Sequence, residues 1–365
     1  MSNAKERNIG IELLRIIAMI AIMVLHVLGR GGVLNVAPAL TKNYEAAWVM
    51  EILCYTAVTA YALISGYAGL EGSFHFTNIV YLWLQVFFYS FVYTVGFLIF
   101  MPEAVTTPVL LCDFFPIMTE CYWYFSAYAA MFIFIPAIKH VVNNAPRVYL
   151  KGILGFILIF FSGFYVFFWN VDVFGLKYGG ASFLWLASCF FMGAYIKKFN
   201  ILSNIRTSGL WLMFFGGVGL TFLSKLAIEL VYGADRWDID RGNLLVSYNS
   251  PTLLVSSISL LLIFSRIKVE GSLLKKVITI VAPLTFGVYL SNAHPLVWVY
   301  IMKGAFSAYS TYPVWKLIIC TLLSAIVLFL IGIAMDAVRN LIFELGHLRG
   351  KLRALEKYIL DKAAK

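Results

Sequence analysis

Long apolar runs recur along nearly the whole chain, from residue 9 to residue 336, with no long polar interval between them. A helix that crosses a ~30 Å hydrocarbon core needs about 20 predominantly apolar residues. Hydrophobic residues fill 62% of the 365 positions and charged residues only 13%, whereas soluble domains carry about a quarter charged residues. The sequence therefore predicts an all-α, polytopic membrane helical bundle.

The apolar runs predict about ten transmembrane helices. They lie near residues 9–29, 46–69, 78–101, 121–138, 152–169, 181–196, 209–231, 249–265, 278–301 and 315–336. The first run is too long for a cleavable signal peptide and contains charged residues, so we expect it to remain as a helix. We predict one integral membrane domain over residues 1–338 and a cytoplasmic, amphipathic helical tail over residues 339–365.

Lys and Arg are concentrated in alternate connections. With the N-terminus inside, the basic segments 139–151, 197–206 and 266–276 and the tail all face the cytoplasm, as the positive-inside rule requires. Both termini are therefore predicted to be cytoplasmic, in a multi-pass protein of the cell membrane. The net charge of +10 follows from this bias and from attraction to anionic lipid headgroups, so no nucleic-acid partner is needed to explain it.

Two segments outside the predicted spans are more polar than the spans. The tail carries Leu or Ile at 341, 345, 348, 352, 355 and 359, a spacing that predicts an amphipathic helix. It could lie on the inner leaflet or pair with a second copy in a homodimer. Residues 233–243 are the most polar stretch before the tail, which indicates either a lid that contacts an acceptor or a solvated loop.

The five cysteines have no paired C-x-x-C spacing, and no His/Cys cluster has metal-ligand spacing. Only Cys112 and Cys121 share a predicted outer segment. Free thiols and a disulfide between these two are the alternatives for them.

Three ionisable residues lie in the first predicted helix, where each is costly and therefore a candidate for function. Arg15 and His26 are eleven residues apart, which places them on one helical face and about 16 Å apart along the axis. Glu12 lies one turn before Arg15 and can pair with it. In one interpretation, Glu12 and Arg15 neutralise each other near the inner interface and His26 is an interfacial histidine. In the other, these residues take part in a reaction, because Arg can hold a phosphate, an imidazole can act as a base, and an extended pantetheine arm spans a similar length.

The same residues carry a family resemblance. The first helix, with Arg15 and His26 followed by Gly29, Gly31 and Gly32, resembles the R-x10-H signature of the acyltransferase-3 membrane proteins, and most closely their bacterial surface-polysaccharide O-acyltransferase branch. Further similar stretches follow in order along nearly the whole chain: Trp123-Tyr124 with Tyr128 and Pro136, Tyr248-Asn249-Ser250-Pro251, and Phe286-Gly287-Val288-Tyr289-Leu290.

The resemblance implies transfer of an acyl group, usually acetyl from acetyl-CoA, to a hydroxyl of an extracytoplasmic or lipid-linked glycan. It implies a catalytic role for His26 and a role in acyl-CoA binding for Arg15, with Glu12 beside it. Acyl-CoA would act as donor substrate, with no tightly bound cofactor and no metal. Many members carry basic residues after the second helix, but this chain has none there, so contacts with the CoA phosphates would come from elsewhere, with His75 and Lys139 as candidates.

Candidate acceptor-binding residues come from the aromatic start of the fourth helix and from the ninth. Trp123, Tyr124 and Tyr128 could form an interfacial aromatic belt or stack on a sugar. Members often read Y-L-I-H near the ninth helix, where this chain has Asn292, and His294 lies two residues later. His294 is either an interfacial structural histidine or a catalytic one.

Other ionisable residues fall within the predicted spans. Lys225 and Glu229 are four residues apart and can neutralise each other. Glu51 has no local partner, so it either pairs across helices with Arg15 or lines a tunnel. A transporter or flippase for a glycolipid or small solute is the alternative to an enzyme, but the paired, broken half-repeats that transporters often have are not visible in the sequence.

Overall fold

The structure is a computed structural model that describes residues 7–167, 175–176, 180–233 and 244–363. Within these ranges the chain forms helices and no strand, which confirms the predicted all-α fold. In chain order the main helices are α1 (Ile9–Leu28), α2 (Lys42–Gly69), α3 (Thr77–Phe100), α4 (Trp123–Asn144), α5 (Arg147–Phe156), α6 (Phe183–Phe199), α7 (Thr207–Tyr232), α8 (Pro251–Ser265), α9 (Ser272–Ala293), α10 (Val314–Leu345) and α11 (Leu348–Ala363).

Seven of these helices, counted over the described residues, are long and apolar enough to cross a membrane: α1, α2, α3, α4, α7, α9 and α10. The other three predicted spans correspond to shorter or interrupted elements. Helices α6 and α8 have 17 and 15 residues, and α5 continues through the π-helical segment Ile157–Gly163 to Phe167. The predicted count of about ten spans therefore stays a prediction.

Helix α1 lies at the centre of the bundle, where it contacts α2, α8, α9 and α10. Asn8 begins it, because the Asn8 side chain accepts a hydrogen bond from the N–H of Ile11 and donates one to Ser265 O at the end of α8. An N-cap of this kind satisfies an otherwise orphaned donor of the first turn. The side chains of the first predicted span are thereby held in the middle of the protein.

Helices α2 and α6 cross closely, because a glycine on each faces the backbone of the other. A Cβ atom added at Gly66 would lie 1.9 Å from Phe190 O, and one added at Gly193 would lie 2.1 Å from Leu63 O. Small residues allow this close approach in membrane bundles, where dispersion between closely packed atoms replaces the hydrophobic effect. The crossing fixes the axis of α2, which lines the cavities described below.

Apolar side chains cover the outside of the longest helix. On α10, Leu323, Val327 and Ile331 are each more than half exposed. Such a continuous apolar face would be unfavourable in water, but it matches the hydrocarbon interior of a bilayer.

Segments predicted to share one side of the membrane contact each other. The turn after α1 pairs with the turn before α10, through Gly304 N to Arg30 O and Phe306 N to Gly31 O. Gly32 in that turn has φ +91°, a conformation that favours glycine. At the other end of the bundle, the segment between α2 and α3 contacts α11. The predicted cytoplasmic position of both termini stays a prediction.

The tail begins later than predicted from its apolar spacing. Helix α10 runs on to Leu345, so the predicted boundary between residues 338 and 339 falls within it, and α11 follows after a turn at residues 346–347. Within α10, Arg339 donates to both carboxylate oxygens of Asp336, and Gln85 and Tyr89 of α3 donate to Asp336 Oδ1. This buried network joins α3 to α10.

Two further predictions concern polar residues around α7. Lys225 Nζ lies 2.7 Å from Glu229 Oε2, as predicted, and also 2.8 Å from Glu45 Oε2 of α2. The polar segment 233–243 lies outside the described residues except for Gly233. The cysteines of the described part are free thiols, including Cys112 and Cys121.

Candidate active site

One face of α1 lines a set of internal cavities. The residues on this face are Arg15, Met19, Ile22, His26 and Gly29, which follow each other at intervals of four and three. This is the spacing of one side of an α-helix. The predicted common face of Arg15 and His26 is thus open to internal space rather than packed shut.

His26 is held at one end of this face by aromatic and basic neighbours. Its ring lies edge-on to Trp298, with centroids 4.8 Å apart and an interplanar angle of 88°. Arg30 fixes Trp298 in turn, because its Nε donates to Trp298 O at 2.9 Å. Nδ1 of His26 is buried and has no hydrogen-bond partner among the described residues.

His26 opens into a cavity of about 260 Å³, which we call the His26 cavity. Aromatic rings form much of its wall. Trp123 stacks on Tyr248 at 5.8 Å, and Tyr248 stacks on Tyr55 at 4.9 Å. The flat faces of such a wall suit a ring-shaped ligand with an apolar face.

Glu51 lines the same cavity. Its side chain is only 7% exposed, and its Oε2 atom has no hydrogen-bond partner. No ion pair joins it to Arg15 among the described residues, so of the two predicted alternatives the structure shows a cavity-lining Glu51.

Arg15 opens into a second cavity of about 390 Å³, the Arg15 cavity. Tyr128 and Lys139 of α4 lie on its wall, together with Ser65 of α2. Lys139 Nζ donates to Gly72 O in the segment after α2. The cavity therefore has two cationic side chains in a largely apolar wall.

The two cavities adjoin at a partition of three rings, Tyr61, Tyr124 and Phe286, which line both. Tyr61 meets Tyr124 edge-on with centroids 6.5 Å apart, and the hydroxyl of Tyr61 lies 2.5 Å from Thr285 Oγ1. These three side chains are therefore common to the Arg15 side and the His26 side.

A wider cavity, the vestibule, of about 850 Å³ lies on the other side of Arg15. Its wall includes the guanidinium groups of Arg7, Arg15 and Arg349. Glu12 also lines it, and its Oε2 lies 3.9 Å from Arg15 Nη1, which is the predicted pair at long range. The vestibule thus offers several fork-shaped donors of the kind that bind phosphate oxygens.

His75 contacts the tail helix instead of the Arg15 cavity. Its Nδ1 lies 3.2 Å from Glu356 Oε2, and Glu356 also accepts hydrogen bonds from Thr77 Oγ1 and from the N–H of Phe76. Desolvation acts to raise the pKa of Glu356, but hydrogen bonds from Thr77, Phe76 and Arg353 outweigh it and lower the pKa. The carboxylate is therefore ionised at neutral pH, and its hydrogen bonds join α11 to the start of α3.

Asn292 and His294 lie on the wall of neither the His26 cavity nor the Arg15 cavity. Asn292 Nδ2 donates to Val288 O within α9. His294 is fully buried, and its Nδ1 accepts a hydrogen bond from the N–H of Leu296. The hydrogen-bond network therefore assigns the ring proton to Nε2, which lies 3.4 Å from Asp113 Oδ1. The role of His294 stays a prediction.

The face of α2 was not predicted as a whole, although a signal for it exists. Glu51, Tyr55, Val58, Tyr61 and Ser65 line the cavities at helical intervals of four and three. Polar residues at that spacing within an apolar run indicate a face turned away from lipid. Trp298 and Arg349 had no comparable signal, because they reach the cavities from distant parts of the chain.

Comparison with known proteins agrees with this arrangement. A family model described as an acyltransferase domain, that of the acyltransferase-3 family, matches residues 8–333. No curated protein and no solved structure gives a significant match. The match covers the helices that carry Arg15, His26 and the cavities between them. The chain therefore belongs to the acyltransferase-3 family and is a membrane acyltransferase.

Proposed function

We propose that this chain is a multi-pass enzyme of the cell membrane that transfers an acyl group, acetyl foremost, from cytoplasmic acyl-CoA to a hydroxyl of an extracytoplasmic or lipid-linked glycan, as in the bacterial surface-polysaccharide branch. The single observation that carries the proposal is the face of α1, on which Arg15 and His26 open into adjoining cavities. A donor and an acceptor can then enter from opposite ends and meet at His26.

Acyl-CoA is the donor substrate in this proposal and is not a resident cofactor. Its phosphates bind in the vestibule near Arg7, Arg15 and Arg349, because guanidinium forks bridge phosphate oxygens. Glu12 keeps Arg15 oriented. The pantetheine arm extends along α1 and displaces the rings of the partition, which brings the thioester to His26, about 16 Å from Arg15 along the helix axis.

The transfer step needs one base. The acceptor hydroxyl gives its proton to Nδ1 of His26 while its oxygen attacks the carbonyl carbon of the thioester. The carbon–sulfur bond then breaks, and the CoA thiolate takes the proton from the imidazolium. The products are an ester on the glycan and CoA with a free thiol, and His26 returns to its neutral form.

The acceptor binds in the His26 cavity. Trp123 and Tyr124 contact the sugar there, since both line that cavity. Tyr128 lines the Arg15 cavity, so we assign it to the donor arm. His75 contributes through the tail contact with Glu356 rather than by touching CoA.

The proposal is tested with the purified full chain, labelled acetyl-CoA and cell-envelope glycans. Wild type should place label on sugar hydroxyls as an alkali-labile ester. His26→Ala and His26→Gln should lower the rate by ~10²–10⁴-fold, the usual contribution of a positioned base, while acetyl-CoA binding persists. His140→Ala, a change at an exposed histidine of α4, is the matched control and should keep the wild-type rate. A folded His26→Ala protein with more than about a tenth of wild-type transfer would exclude His26 as the base.

A further inference from the structure

Two residues that line the same small cavity each have an unsatisfied buried polar atom. Glu51 Oε2 and His26 Nδ1 are both buried without a hydrogen-bond partner, and both residues line the His26 cavity. Buried polar atoms without partners are rare in native proteins, because each costs about 1–3 kcal/mol. Their convergence indicates a ligand that brings its own polar hydrogens.

The position of Glu51 has no other explanation in the described structure. Other buried carboxylates of the described residues have a partner: Asp336 binds Arg339, Glu229 binds Lys225, Asp113 accepts from Thr94, and Glu12 lies 3.9 Å from Arg15 Nη1. An unpaired carboxyl 93% buried in a membrane helix, in contrast, is costly and marks a site of function.

The walls of the His26 cavity restrict the ligand to one ring. About 260 Å³ is just below the ~300–1,000 Å³ of typical small-molecule pockets, so a single sugar fits and an oligosaccharide does not. The stacked rings of Trp123, Tyr248 and Tyr55 offer a face for the C–H side of a sugar, held by dispersion. The two unpaired polar atoms then meet its hydroxyl groups.

We propose that Glu51 binds a second hydroxyl of the acceptor, next to the hydroxyl that His26 deprotonates, so that the acceptor is a terminal sugar with two neighbouring free hydroxyl groups. This inference rests on the proposed function and adds its acceptor class. Glu51 accepts a hydrogen bond from the second hydroxyl and thereby orients the sugar. No proton transfer at Glu51 is required.

The test measures acetyl transfer by the purified full chain to a panel of octyl glycosides and to the monodeoxy analogue of each at every position. Glu51→Leu removes the acceptor oxygens at similar size, and Glu51→Gln retains one of them. Glu51→Leu should raise the KM for the glycoside by roughly tenfold or more, with the KM for acetyl-CoA unchanged. Glu51→Gln should lie between Glu51→Leu and wild type.

The deoxy sugars make the test specific. For one monodeoxy analogue, the wild-type KM should rise as much as the KM of Glu51→Leu rises for the parent glycoside. Glu51→Leu assayed with that analogue should show little further rise, because the two changes remove the two halves of one contact. Equal KM values for wild type and Glu51→Leu would overturn the inference and leave the proposed function intact. A change in the KM for acetyl-CoA alone would reassign the cavity to the acyl group. No label on any glycoside with wild type would defeat glycan transfer itself.

Discussion

Arg15 stands at the junction of two spaces, since it lines both the vestibule and the Arg15 cavity. Its Nε is buried and has no hydrogen-bond partner, and its nearest carboxylate, Glu12, lies at 3.9 Å. A planar guanidinium with unused donors can bridge two oxygens of one phosphate, whereas an ammonium group cannot match that geometry.

We therefore expect Arg15→Lys to raise the KM for acyl-CoA by about tenfold, because the charge remains but the bidentate contact is lost. The KM for the acceptor should not change. Arg266→Lys is the matched control, since Arg266 donates to the backbone oxygens of residues 202, 203 and 205. Steady-state kinetics with each substrate varied in turn measures both effects. A rise confined to the acceptor KM would contradict the donor assignment.

Sequence reasoning reached the residues of α1 and α4 but not the whole site. Arg15 and His26 could be predicted because both lie on one helix, where spacing alone fixes their common face. Trp298 and Arg349 could not, because their contacts with the site depend on how distant helices cross. His75 shows the same limit: its position next to Glu356 depends on where the tail docks.

Glycines at the α2–α6 crossing set how closely two elements approach. We expect Gly193→Ala to lower the thermal midpoint of the purified protein, because the new methyl group would lie 2.1 Å from Leu63 O and overpacking costs about 1–3 kcal/mol. Gly216→Ala on α7 is the control, since no atom lies within 4 Å of the Cβ position there. A midpoint for Gly193→Ala equal to that of Gly216→Ala would show that the crossing tolerates separation.

The carboxylate of Glu356 joins the tail helix to the start of α3. Glu356→Gln removes the charge that strengthens the hydrogen bonds from Thr77 and Phe76, so α11 should undock more often. We expect trypsin cleavage after Lys357 to accelerate by about tenfold, as the loss of charge-assisted hydrogen bonds implies. Asp361→Asn, at an exposed position of the same helix, should cleave at the wild-type rate. Equal cleavage of both variants would mean that other contacts hold the tail.

The positions of the helices were easier to predict than the number of helices that cross the membrane. Apolar runs overlap helices α1 to α10, because a segment that crosses a bilayer outside a closed barrel must satisfy its backbone hydrogen bonds as a helix. Amphipathic spacing predicted α11. Helix α10 runs beyond the predicted span 315–336 to Leu345, and the Asp336–Arg339 pair lies inside the helix, where the two charges neutralise each other.

The predicted orientation places each end of the molecule on one side of the membrane. We expect a cysteine at Lys303 to react with an impermeant maleimide in intact cells, and a cysteine at Lys357 to react only after lysis, in a background without the native cysteines. Lys303 lies in the turn that pairs with the end of α1, and Lys357 lies on α11. The reverse pattern would invert the topology and move the donor site outside.

The three-ring partition also bears on the permeability of the membrane to ions. A passage able to admit a pantetheine arm would conduct water and ions if it stood open between turnovers. Tyr61, Tyr124 and Phe286 line both cavities, and an ion that passed between these rings would have to shed its hydration shell in a medium of low dielectric constant. Under the proposed function, rings that part only around the pantetheine arm would let the cell hold a proton gradient across a bilayer that contains this protein.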